Sequence, residues 1–142
     1  MKSILAFLTP KKVTYYISDK STLRQALEKF DAHKFTIVPI LDKNGKYRGT
    51  ISQGDMLRFI KQKGSFNLEE AESISIKEIE RYRSYRSLKI DAEFVEVLAL
   101  SQEQNFIPIV DDSDTYIGII KRSDIIKYLY KELMPALNED EK

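Results

Sequence analysis

The chain contains no cysteine, no tryptophan and only one histidine, His33, among its 142 residues. Without thiols it can form no disulfide, no thiol-based catalytic centre and none of the usual structural zinc sites. A metal site or a catalytic triad needs several partners for a histidine. We therefore interpret His33, beside Lys34 at the end of a predicted helix, as structural or solvated. The chain also lacks a glycine-rich phosphate loop.

Long apolar runs and a large net charge are also absent. No apolar stretch approaches the roughly 20 residues that span a bilayer, and the apolar residues 4–8 are too few for a signal sequence. The 23 basic and 22 acidic residues give a net charge of +1, so no bulk electrostatic field attracts nucleic acid. We expect a cytoplasmic protein with neither a membrane nor a nucleic acid as its partner.

An internal repeat is the most informative feature that is present. The segment Pro39–Asp42 recurs as Pro108–Asp111, and Gly49–Asp55 recurs as Gly118–Asp124. Both pairs are separated by the same 69 positions. A constant register indicates that one folding unit has been duplicated, so a binding site in one unit predicts a related site in the other.

The hydrophobic pattern predicts the same order in each copy: strand, helix, strand, turn, strand, helix. In the first copy, Thr22 and Gln25 form a capping box before the first helix, and Gly64 ends the second. The predicted elements are a short strand over 13–17, a helix over 23–30, strands over 35–41 and 47–51 around a turn at 42–46, and a helix over 55–63. The residues expected on the buried side of that last helix are Met56, Leu57, Phe59 and Ile60.

The second copy follows the same plan after a linker that contains a short helix over 75–79, opened by a Ser75 and Glu78 capping box. Its elements are a strand over 88–90, a helix, strands over 106–110 and 116–120 around a turn at 111–115, and a final helix that Pro135 is expected to end. The residues expected to face inward on its two helices are Phe94, Val95, Leu98, Ala99, Ile125, Ile126 and Leu129. The acidic tail over 138–142 is expected to fray.

These elements predict an α/β (α+β) fold. Residues 1–64 form the first repeat, 65–87 a linker whose part over 74–87 belongs to the second repeat, 88–134 the second repeat, and 135–142 a flexible acidic tail. One repeat buries too little surface to fold alone. Two repeats packed sheet to sheet with pseudo-twofold symmetry share a core, and they leave clefts where they meet.

The repeated order Pro-h-h-Asp, then Gly-h-h-x-x-x-Asp, resembles the cystathionine-β-synthase (CBS) domain, and two in tandem resemble a Bateman module. The resemblance extends from Leu8 to about Leu133 and implies a stand-alone CBS-pair protein. The family binds adenosine-containing ligands in the clefts between repeats and passes their occupancy to a partner. We expect no enzyme, because these residues supply no constellation of nucleophile, base and oxyanion donors.

The resemblance assigns the ribose of the ligand to Asp55 and Asp124, since one carboxylate can accept from both vicinal hydroxyls. The alternative is that each is an acid at a helix N-terminus, where Ser52 with Asp55 matches a capping box. It assigns the ligand phosphate to Ser52 in the first copy. The phosphate candidates in the second copy are Lys121, Arg122 and Ser123. The second cleft then favours a more phosphorylated ligand or is degenerate, unless Lys121 and Arg122 are simply solvated.

The resemblance also places base-pocket residues ahead of each proline, and it adds Thr9, which matches the family's threonine just before the first strand, and the counterpart of Thr9 at about Tyr82. The candidates are Thr9, Phe35, Thr36, Ile37, Tyr82, Asn105 and Phe106. The apolar members have an alternative role in the strand core, whereas Thr36 and Asn105 are polar on strands expected to be buried. A basic-aromatic cluster follows the linker helix and is either a ligand contact or a solvated segment. Its members are Arg81, Tyr82, Arg83, Tyr85 and Arg86.

Two functions remain open at this stage. The first is a regulatory sensor that binds AMP, ADP, ATP, cyclic di-AMP or S-adenosylmethionine, with no catalytic cofactor, and signals to an unknown protein effector. The second is a ligand-free scaffold for dimerisation or protein interaction whose clefts are degenerate. In either case we expect a homodimer formed through the helices, where Phe59, Tyr128 and Tyr130 supply apolar and aromatic surface.

Overall fold

The computed structural model describes residues 3–82 and 84–140. The order of elements predicted for each repeat is confirmed. After β1 (Leu8–Pro10), the elements of the first repeat are β2 (Ile17–Ser18), α1 (Leu23–His33), β3 (Ile37–Leu41), β4 (Tyr47–Ser52) and α2 (Gln53–Lys63). The linker contributes α3 (Leu68–Ser73), and the second repeat consists of β5 (Leu88–Lys89), α4 (Phe94–Ser101), β6 (Phe106–Val110), β7 (Tyr116–Lys121) and α5 (Arg122–Asp140).

Side-chain caps fix the ends of the helices in the first repeat. Thr22 and Gln25 form the predicted capping box at the start of α1. Gly64 ends α2 in the left-handed conformation with φ of 83°, which costs glycine little because it lacks a Cβ. The linker capping box of Ser75 and Glu78 is also confirmed, although it opens a single 3-10 turn over Ile76–Glu78.

The strands form two sheets with equivalent registers. One sheet has the order β2-β3-β4, and the other has the order β1-β7-β6-β5. In both repeats the hairpin turn is organised by the aspartate of the Pro-h-h-Asp motif. Asp42 Oδ1 accepts hydrogen bonds from the N–H groups two and four residues later at 2.8 and 3.0 Å, and Asp111 Oδ1 does the same at 2.8 and 3.0 Å. The hydrogen bond from the Lys46 N–H is the largest cause that holds the pKa of Asp42 below its ordinary value.

The two repeats exchange segments, so neither core is built from one repeat alone. β1 lies in the N-terminal part of the first repeat, yet it pairs antiparallel with β7 of the second. Ile4 likewise packs in the apolar core of the second repeat. Ala71, Ile74, Ile76 and Ile79 of the linker pack in the core of the first. This exchange ties the repeats together and positions the linker beside β4 and α2.

The predicted strand over 13–17 is wrong for most of its length. A 3-10 turn occupies Lys11–Val13, and the strand that follows is only Ile17–Ser18. Val13 and Tyr15 are exposed, so the aromatic and β-branched residues that suggested a strand do not reflect burial here. Their β-propensity is overridden because no neighbouring strand is available over this segment.

Four helical residues expected in the core are exposed instead: Leu57, Val95, Ala99 and Ile126. Successive helical residues are separated by about 100°. Burial of Met56 and Ile125 therefore turns the residues that follow them, Leu57 and Ile126, toward solvent. In α4 the fully buried positions are Val97, Leu100 and Ser101, so Val95 and Ala99 fall on the far side of that helix.

The expectation that Pro135 ends the final helix is also wrong, because α5 continues through Pro135 to Asp140. A proline inside a helix leaves the carbonyl four residues earlier without its N–H partner. That residue is Lys131, which is exposed, so water can take the place of the missing donor. Of the predicted acidic tail, Glu141 and Lys142 lie outside the described residues. The sequence did not predict β1 or α3.

Candidate functional site

A cavity of about 350 Å³ lies where the first repeat faces the segment that leads into the second. We call this cavity the first cleft. Its volume falls within the range of roughly 300–1,000 Å³ that is usual for small-molecule sites. The residues that line it are Thr36, Ile37, Thr50, Ser52, Gln53, Gly54, Asp55, Arg58, Tyr82, Tyr85 and Asn105.

The N-terminus of α2 forms one wall of the first cleft. Ser52 Oγ accepts a hydrogen bond from the Asp55 N–H at 3.1 Å, and Asp55 Oδ2 accepts one from the Ser52 N–H at 2.9 Å. This is the capping box that the sequence suggested for Ser52 and Asp55, and it starts α2 at Gln53. The positive end of the helix dipole therefore points toward the cavity wall, where it favours an anion.

Asp55 does more than cap the helix. Its Oδ1 accepts a hydrogen bond of 2.8 Å from the backbone N–H of Tyr82, in the linker segment. The same oxygen lies 3.4 Å from Nη1 of Arg58. With an exposed fraction of 4%, the Asp55 carboxylate is a buried junction between α2 and the segment that approaches β5.

Arg58 and Tyr82 contact each other beside Asp55. The Arg58 guanidinium lies 4.9 Å from the centroid of the Tyr82 ring, a cation–π arrangement. Tyr82 is 75% exposed, so its ring is held by this contact rather than by burial. A second cavity of about 320 Å³ is also lined by Arg58 and Tyr82, so the two cavities share these residues.

A buried phenol supports the floor of the first cleft. The Tyr47 hydroxyl makes a hydrogen bond of 2.6 Å with Thr50 Oγ1 and donates to the Tyr85 carbonyl at 3.2 Å. Burial raises the pKa of Tyr47 to about 12. Its counterpart in the second repeat, Tyr116, shares a hydrogen bond of 2.9 Å with Thr14 Oγ1, and burial likewise raises the pKa of Tyr116 to about 12.

The second repeat reaches the first cleft through Asn105. Its Oδ1 accepts a hydrogen bond of 2.6 Å from Nη2 of Arg122, and the Arg122 N–H donates to the Asn105 carbonyl at 2.9 Å. Arg122 Nη1 also lies 3.4 Å from the Ser101 carbonyl. The Arg122 guanidinium, predicted as a phosphate ligand of the second cleft, is therefore engaged by the side chain that lines the first.

The second cleft is the region around Asp124, which corresponds to the first cleft by the offset of 69 residues. Asp124 is half-buried, whereas Lys121 and Ser123 are exposed at the junction of β7 and α5. Among the described residues, Asp124 makes no hydrogen bond or ion pair comparable to those of Asp55. The two aspartates thus occupy equivalent positions in different surroundings.

The predicted base-pocket residues divide into two groups. Thr36, Ile37, Tyr82 and Asn105 line the first cleft together with Ser52 and Asp55. Phe35 packs on Phe30 with ring centroids 4.6 Å apart, and Phe106 is buried with its ring 5.0 Å from Tyr85. Thr9 lies in β1 opposite Ile119. Phe35, Phe106 and Thr9 are not among the residues that line the first cleft.

The expectation that Thr36 and Asn105 lie on buried strands is wrong. Both precede their strands, which begin at Ile37 and Phe106, and both are exposed. Their polar side chains therefore need no buried partner.

The basic-aromatic cluster is spread along the linker rather than gathered at one site. The guanidinium of Arg81 approaches Gly49 on β4, so close that a Cβ added to Gly49 would lie 3.3 Å from Arg81 Cζ. The Arg86 N–H donates to Gln104 Oε1 at 2.8 Å. Tyr82 and Tyr85 line the first cleft, and Arg83 lies outside the described residues.

Sequence reasoning missed four residues that line the first cleft: Thr50, Gln53, Gly54 and Arg58. A signal was available for Arg58, since it follows Asp55 by three positions on a predicted helix and such residues are neighbours on the helix surface. Within the described parts of the chain, no group of acidic and histidine side chains could hold a metal ion. No helix there is both long and apolar enough to cross a membrane.

Comparison with known proteins agrees with the duplication. The profile of the CBS domain matches residues 8–62 and again residues 76–131. A CBS domain-containing protein of Dictyostelium discoideum is 25% identical over 143 residues, which cover 96% of this chain and 97% of that protein. A homoserine O-acetyltransferase of Methanocorpusculum labreanum is 26% identical over 121 residues, or 80% of this chain, but the match spans only 23% of that enzyme.

Solved structures share the fold over nearly the whole chain. The crystal structure of CbpB in complex with c-di-AMP superposes with a TM-score of 0.82 at 22% identity, covering 97% of this chain and 91% of that one. The crystal structure of CBSX2 in complex with AMP has a TM-score of 0.71 at 19% identity and covers 92% and 98%. Two matches to one domain profile, which span most of the sequence, and this shared fold lead to one conclusion: the chain belongs to the CBS domain family and carries the domain twice.

Proposed function

We propose that this protein is a non-catalytic, cytoplasmic regulatory module that binds a phosphorylated adenine nucleotide in its first cleft and passes the occupancy to a protein partner. One observation carries the proposal. A cavity of nucleotide size brings together the N-terminus of α2, the capping pair Ser52 and Asp55, and polar side chains from both repeats. The similar folds of CbpB, solved with c-di-AMP, and CBSX2, solved with AMP, support the same ligand class.

The chemistry of the first cleft suits an anionic ligand with hydroxyl groups. The positive end of α2 and the Arg58 guanidinium favour a phosphate. The hydroxyl groups of Ser52, Thr36 and Thr50 add donors and acceptors. Gly54 lies in the first turn of α2, where the absence of a side chain keeps the backbone open to an approaching phosphate.

The Asp55 carboxylate has about four lone-pair sites, and three of them already accept hydrogen bonds. Two ribose hydroxyls need two sites, so one of the present contacts must give way. Oδ2 is held by the Ser52 N–H, and Oδ1 by the Tyr82 N–H. The contact of Oδ1 with Arg58 is the longest, at 3.4 Å. We infer that a ribose hydroxyl replaces Arg58 at Oδ1, which frees the guanidinium to turn toward the phosphate.

Signalling follows from the residues that the ligand must move. Arg58 lines both cavities and lies over the Tyr82 ring, and the Tyr82 backbone N–H donates a hydrogen bond to Asp55. A ligand that engages Arg58 therefore alters the linker segment between the repeats. An effector shifts such an equilibrium only by its differential affinity for the two states, typically about 1–3 kcal/mol.

The second cleft is proposed as the weaker of the two sites. Asp124 remains available for a ribose, and Lys121 and Ser123 for phosphate. Arg122 would have added a further cation to this cleft, but its guanidinium donates a hydrogen bond to Asn105 instead. A ligand with more phosphate groups than AMP would compensate, because each added charge strengthens the attraction to Lys121.

A second candidate function is a ligand-free interaction scaffold. The specific observation that favours it is that the two oxygens of Asp55 already accept three hydrogen bonds, which leaves about one of the four lone-pair sites of the carboxylate. In this alternative the contact of Arg58 with Asp55 and Tyr82 never gives way to a ligand, and the protein acts only through its dimer and partner contacts.

A homodimer is proposed in either case, and exposed apolar positions support it. Leu57 on α2 and Ile126 on α5 are equivalent in the two repeats and are 67% and 58% exposed. On α5, Tyr130 and Leu133 continue the exposed stripe at helical spacing. Of the other aromatic residues proposed for the dimer, Phe59 packs partly against the first core, and Tyr128 lies against Phe7.

Isothermal titration calorimetry separates the two functions. Wild-type protein is titrated with AMP, ADP, ATP, cyclic di-AMP and S-adenosylmethionine, beside the variants Asp55→Asn and Asp31→Asn. Asp31 is a matched control because its carboxylate is 85% exposed and forms an ion pair with Lys34, away from the residues that line the first cleft. The sensor requires saturable binding of at least one phosphorylated ligand that Asp55→Asn weakens and Asp31→Asn leaves unchanged. Absence of binding to the whole panel, by calorimetry and by thermal shift, would instead support the scaffold.

A further inference from the structure

We propose that Arg122 is a positioning residue for the first cleft. It lies in the second repeat, yet it orients the Asn105 carboxamide so that the amide nitrogen donates a hydrogen bond to the phosphate of the ligand. The inference rests on the proposed function, and it concerns which residues of the second repeat complete the site.

The chemistry of the pair fixes the orientation of the amide. A guanidinium has donors only, so the carboxamide oxygen must face Arg122. The 2.6 Å bond between Arg122 Nη2 and Asn105 Oδ1 is short, as expected for a charge-assisted hydrogen bond. The other polar atom of the carboxamide is Nδ2, a donor, and among the described residues it donates no hydrogen bond. Asn105 lines the first cleft, so this nitrogen is the donor it can offer there.

Three contacts hold Arg122, and its guanidinium makes two of them. The Arg122 N–H donates to the Asn105 carbonyl at 2.9 Å, and Nη1 lies 3.4 Å from the Ser101 carbonyl at the end of α4. Arg122 is half-buried. These contacts restrict the side chain to the neighbourhood of Asn105, and they make it a poor ligand for a phosphate in the second cleft.

The hydrogen bond between the Arg122 and Asn105 side chains has no equivalent among the described contacts of the first repeat. The equivalents of Arg122 and Asn105 in the first repeat are Gln53 and Thr36. Their backbones make the same hydrogen bond, Gln53 N–H to Thr36 carbonyl, at 2.9 Å. No side-chain bond joins Gln53 and Thr36 among the described contacts. The fold therefore requires only the backbone bond, and the Arg122–Asn105 side-chain pair is free to serve the ligand.

The charge of Arg122 decides which ligand group Asn105 contacts. A cation hydrogen-bonded to the amide oxygen polarises the amide and strengthens its N–H groups as donors. It also adds a positive charge beside a residue that lines the cavity. Both effects favour an anionic acceptor over a neutral ring nitrogen, so we assign Nδ2 of Asn105 to a phosphate oxygen.

A double-mutant cycle tests the inference. Binding of AMP, cyclic di-AMP and the phosphate-free comparison adenosine is measured by calorimetry for wild type, Arg122→Ala, Asn105→Ala and the double variant. Loss of a hydrogen bond to a charged group weakens affinity by about tenfold or more. We expect each single variant to weaken binding of the phosphorylated ligand by about tenfold and of adenosine by less than about threefold. The double variant should bind no more weakly than Asn105→Ala, since residues that act through one another are not additive.

Further variants keep the result interpretable. Arg122→Lys retains a donor for Oδ1 and should restore part of the lost affinity. Asn105→Asp keeps an acceptor for Arg122 but removes the amide donor, so it should weaken AMP more than adenosine without loss of folding. Lys127→Ala removes a cation from the exposed side of the same helix and should change neither ligand.

The outcomes separate the inference from the function on which it rests. If the wild type binds neither AMP nor cyclic di-AMP, the proposed function fails and the inference fails with it. If the wild type binds and the losses in the cycle are additive, Arg122 contacts a ligand independently of Asn105, and the inference alone is overturned. Unchanged affinity in Asn105→Ala overturns it as well.

Discussion

The backbone N–H of Tyr116 donates a hydrogen bond of 3.0 Å to the carbonyl of Gly45, across the boundary between the two repeats. The reciprocal bond runs from the Tyr47 N–H to the Asp114 carbonyl at 3.3 Å. Tyr47 and Tyr116 are equivalent, and so are Gly45 and Asp114. Each hairpin turn therefore donates to and accepts from the other, as units related by a twofold axis do. These hydrogen bonds join the repeats at the first residues of β4 and β7, and the two strands end at the clefts.

Both carbonyl acceptors lie at positions with positive φ, which gives a prediction on stability. Gly45 has φ of 79° and Asp114 has φ of 64°. A left-handed conformation costs a non-glycine residue roughly 1–2 kcal/mol, partly offset by the greater freedom of glycine in the unfolded chain. We expect Asp114→Gly to raise the free energy of unfolding by about 0.5 kcal/mol, measured by urea denaturation. The reciprocal variant Gly45→Asp should lower it by about 1 kcal/mol, and a destabilised Asp114→Gly would contradict this account.

Gly118 and Gly49 are equivalent by sequence but predict different costs of substitution. A Cβ at Gly118 would lie 2.2 Å from the Thr9 carbonyl oxygen, which belongs to the paired backbone of β1. At Gly49 the nearest atoms belong to the flexible Arg81 side chain, at 3.3 Å. Gly118→Ala should lower the free energy of unfolding by about 3 kcal/mol or more, because β1 must separate from β7. Gly49→Ala should cost about 1–2 kcal/mol. Equal losses in urea denaturation would show that β1 does not pack as described.

The two aspartates of the repeated motif predict a contrast in stability as well. Asp55→Ala removes one half of the capping box of α2 and leaves the part-buried N–H groups of Ser52 and Tyr82 without acceptors. We expect the free energy of unfolding to fall by about 2–4 kcal/mol. Asp124→Ala, at the half-buried equivalent position, should cost less than about 1 kcal/mol. Thermal and urea unfolding measure both, and a larger loss for Asp124→Ala would refute the role assigned to Asp55.

The buried phenols predict a loss of stability at alkaline pH. Burial raises the pKa of Tyr47 and of Tyr116 to about 12, above the ordinary tyrosine value of about 10. Their contribution is therefore complete below pH 10 and is lost as the pH rises toward 12. At pH 11 each tyrosine should have lost roughly 1 kcal/mol. Tyr47→Phe and Tyr116→Phe should each remove part of this pH dependence in urea unfolding between pH 8 and 11. Tyr130→Phe, at an exposed position, should retain it in full.

The exposed stripe on α2 and α5 predicts the site of self-association. Leu57→Glu and Ile126→Glu place a charge at equivalent exposed positions, and a charge buried in an interface without a partner opposes association. We expect either variant to shift the protein from dimer to monomer in analytical ultracentrifugation. Val13→Glu is the matched control, because Val13 is 62% exposed but belongs to the 3-10 turn over Lys11–Val13 and to neither helix. A monomeric wild type, or a dimer retained in both helix variants, would contradict the proposed interface.

Local chemistry explains which elements could be predicted from the sequence. The Thr22–Gln25 and Ser75–Glu78 capping boxes, the Gly64 stop and the turn aspartates Asp42 and Asp111 act within four residues along the chain, so their signals are complete in a short segment. The errors lie where burial decides. Leu57 and Ile126 are as apolar as their buried neighbours Met56 and Ile125, and only the packing of α2 and α5 determines which residue of each pair is covered.

The candidate site divides in the same way. The capping pair Ser52 and Asp55 was readable, because both residues lie in one motif. The pairing of Asn105 with Arg122 was not readable, because the two residues lie 17 positions apart. From the sequence alone, the Arg122 guanidinium could equally face a phosphate or solvent. The same holds for the bond between Asp55 and the Tyr82 N–H, which joins residues 27 positions apart.

The sequence by itself determined that the chain is a duplication with two equivalent sets of strands, helices and motif aspartates, since a constant register and short-range hydrogen bonds suffice for that. The tertiary structure decided how the halves differ. Contacts between segments distant in sequence produce these differences. They include the exchange of β1 and the linker between the cores, the hydrogen bond from Tyr82 to Asp55 and the hydrogen bond from Arg122 to Asn105. Such contacts depend on the three-dimensional approach of the repeats, which gives one cleft a partner residue from the other repeat. Within the part of the chain that the structure describes, Asp124 in the second cleft has no comparable contacts.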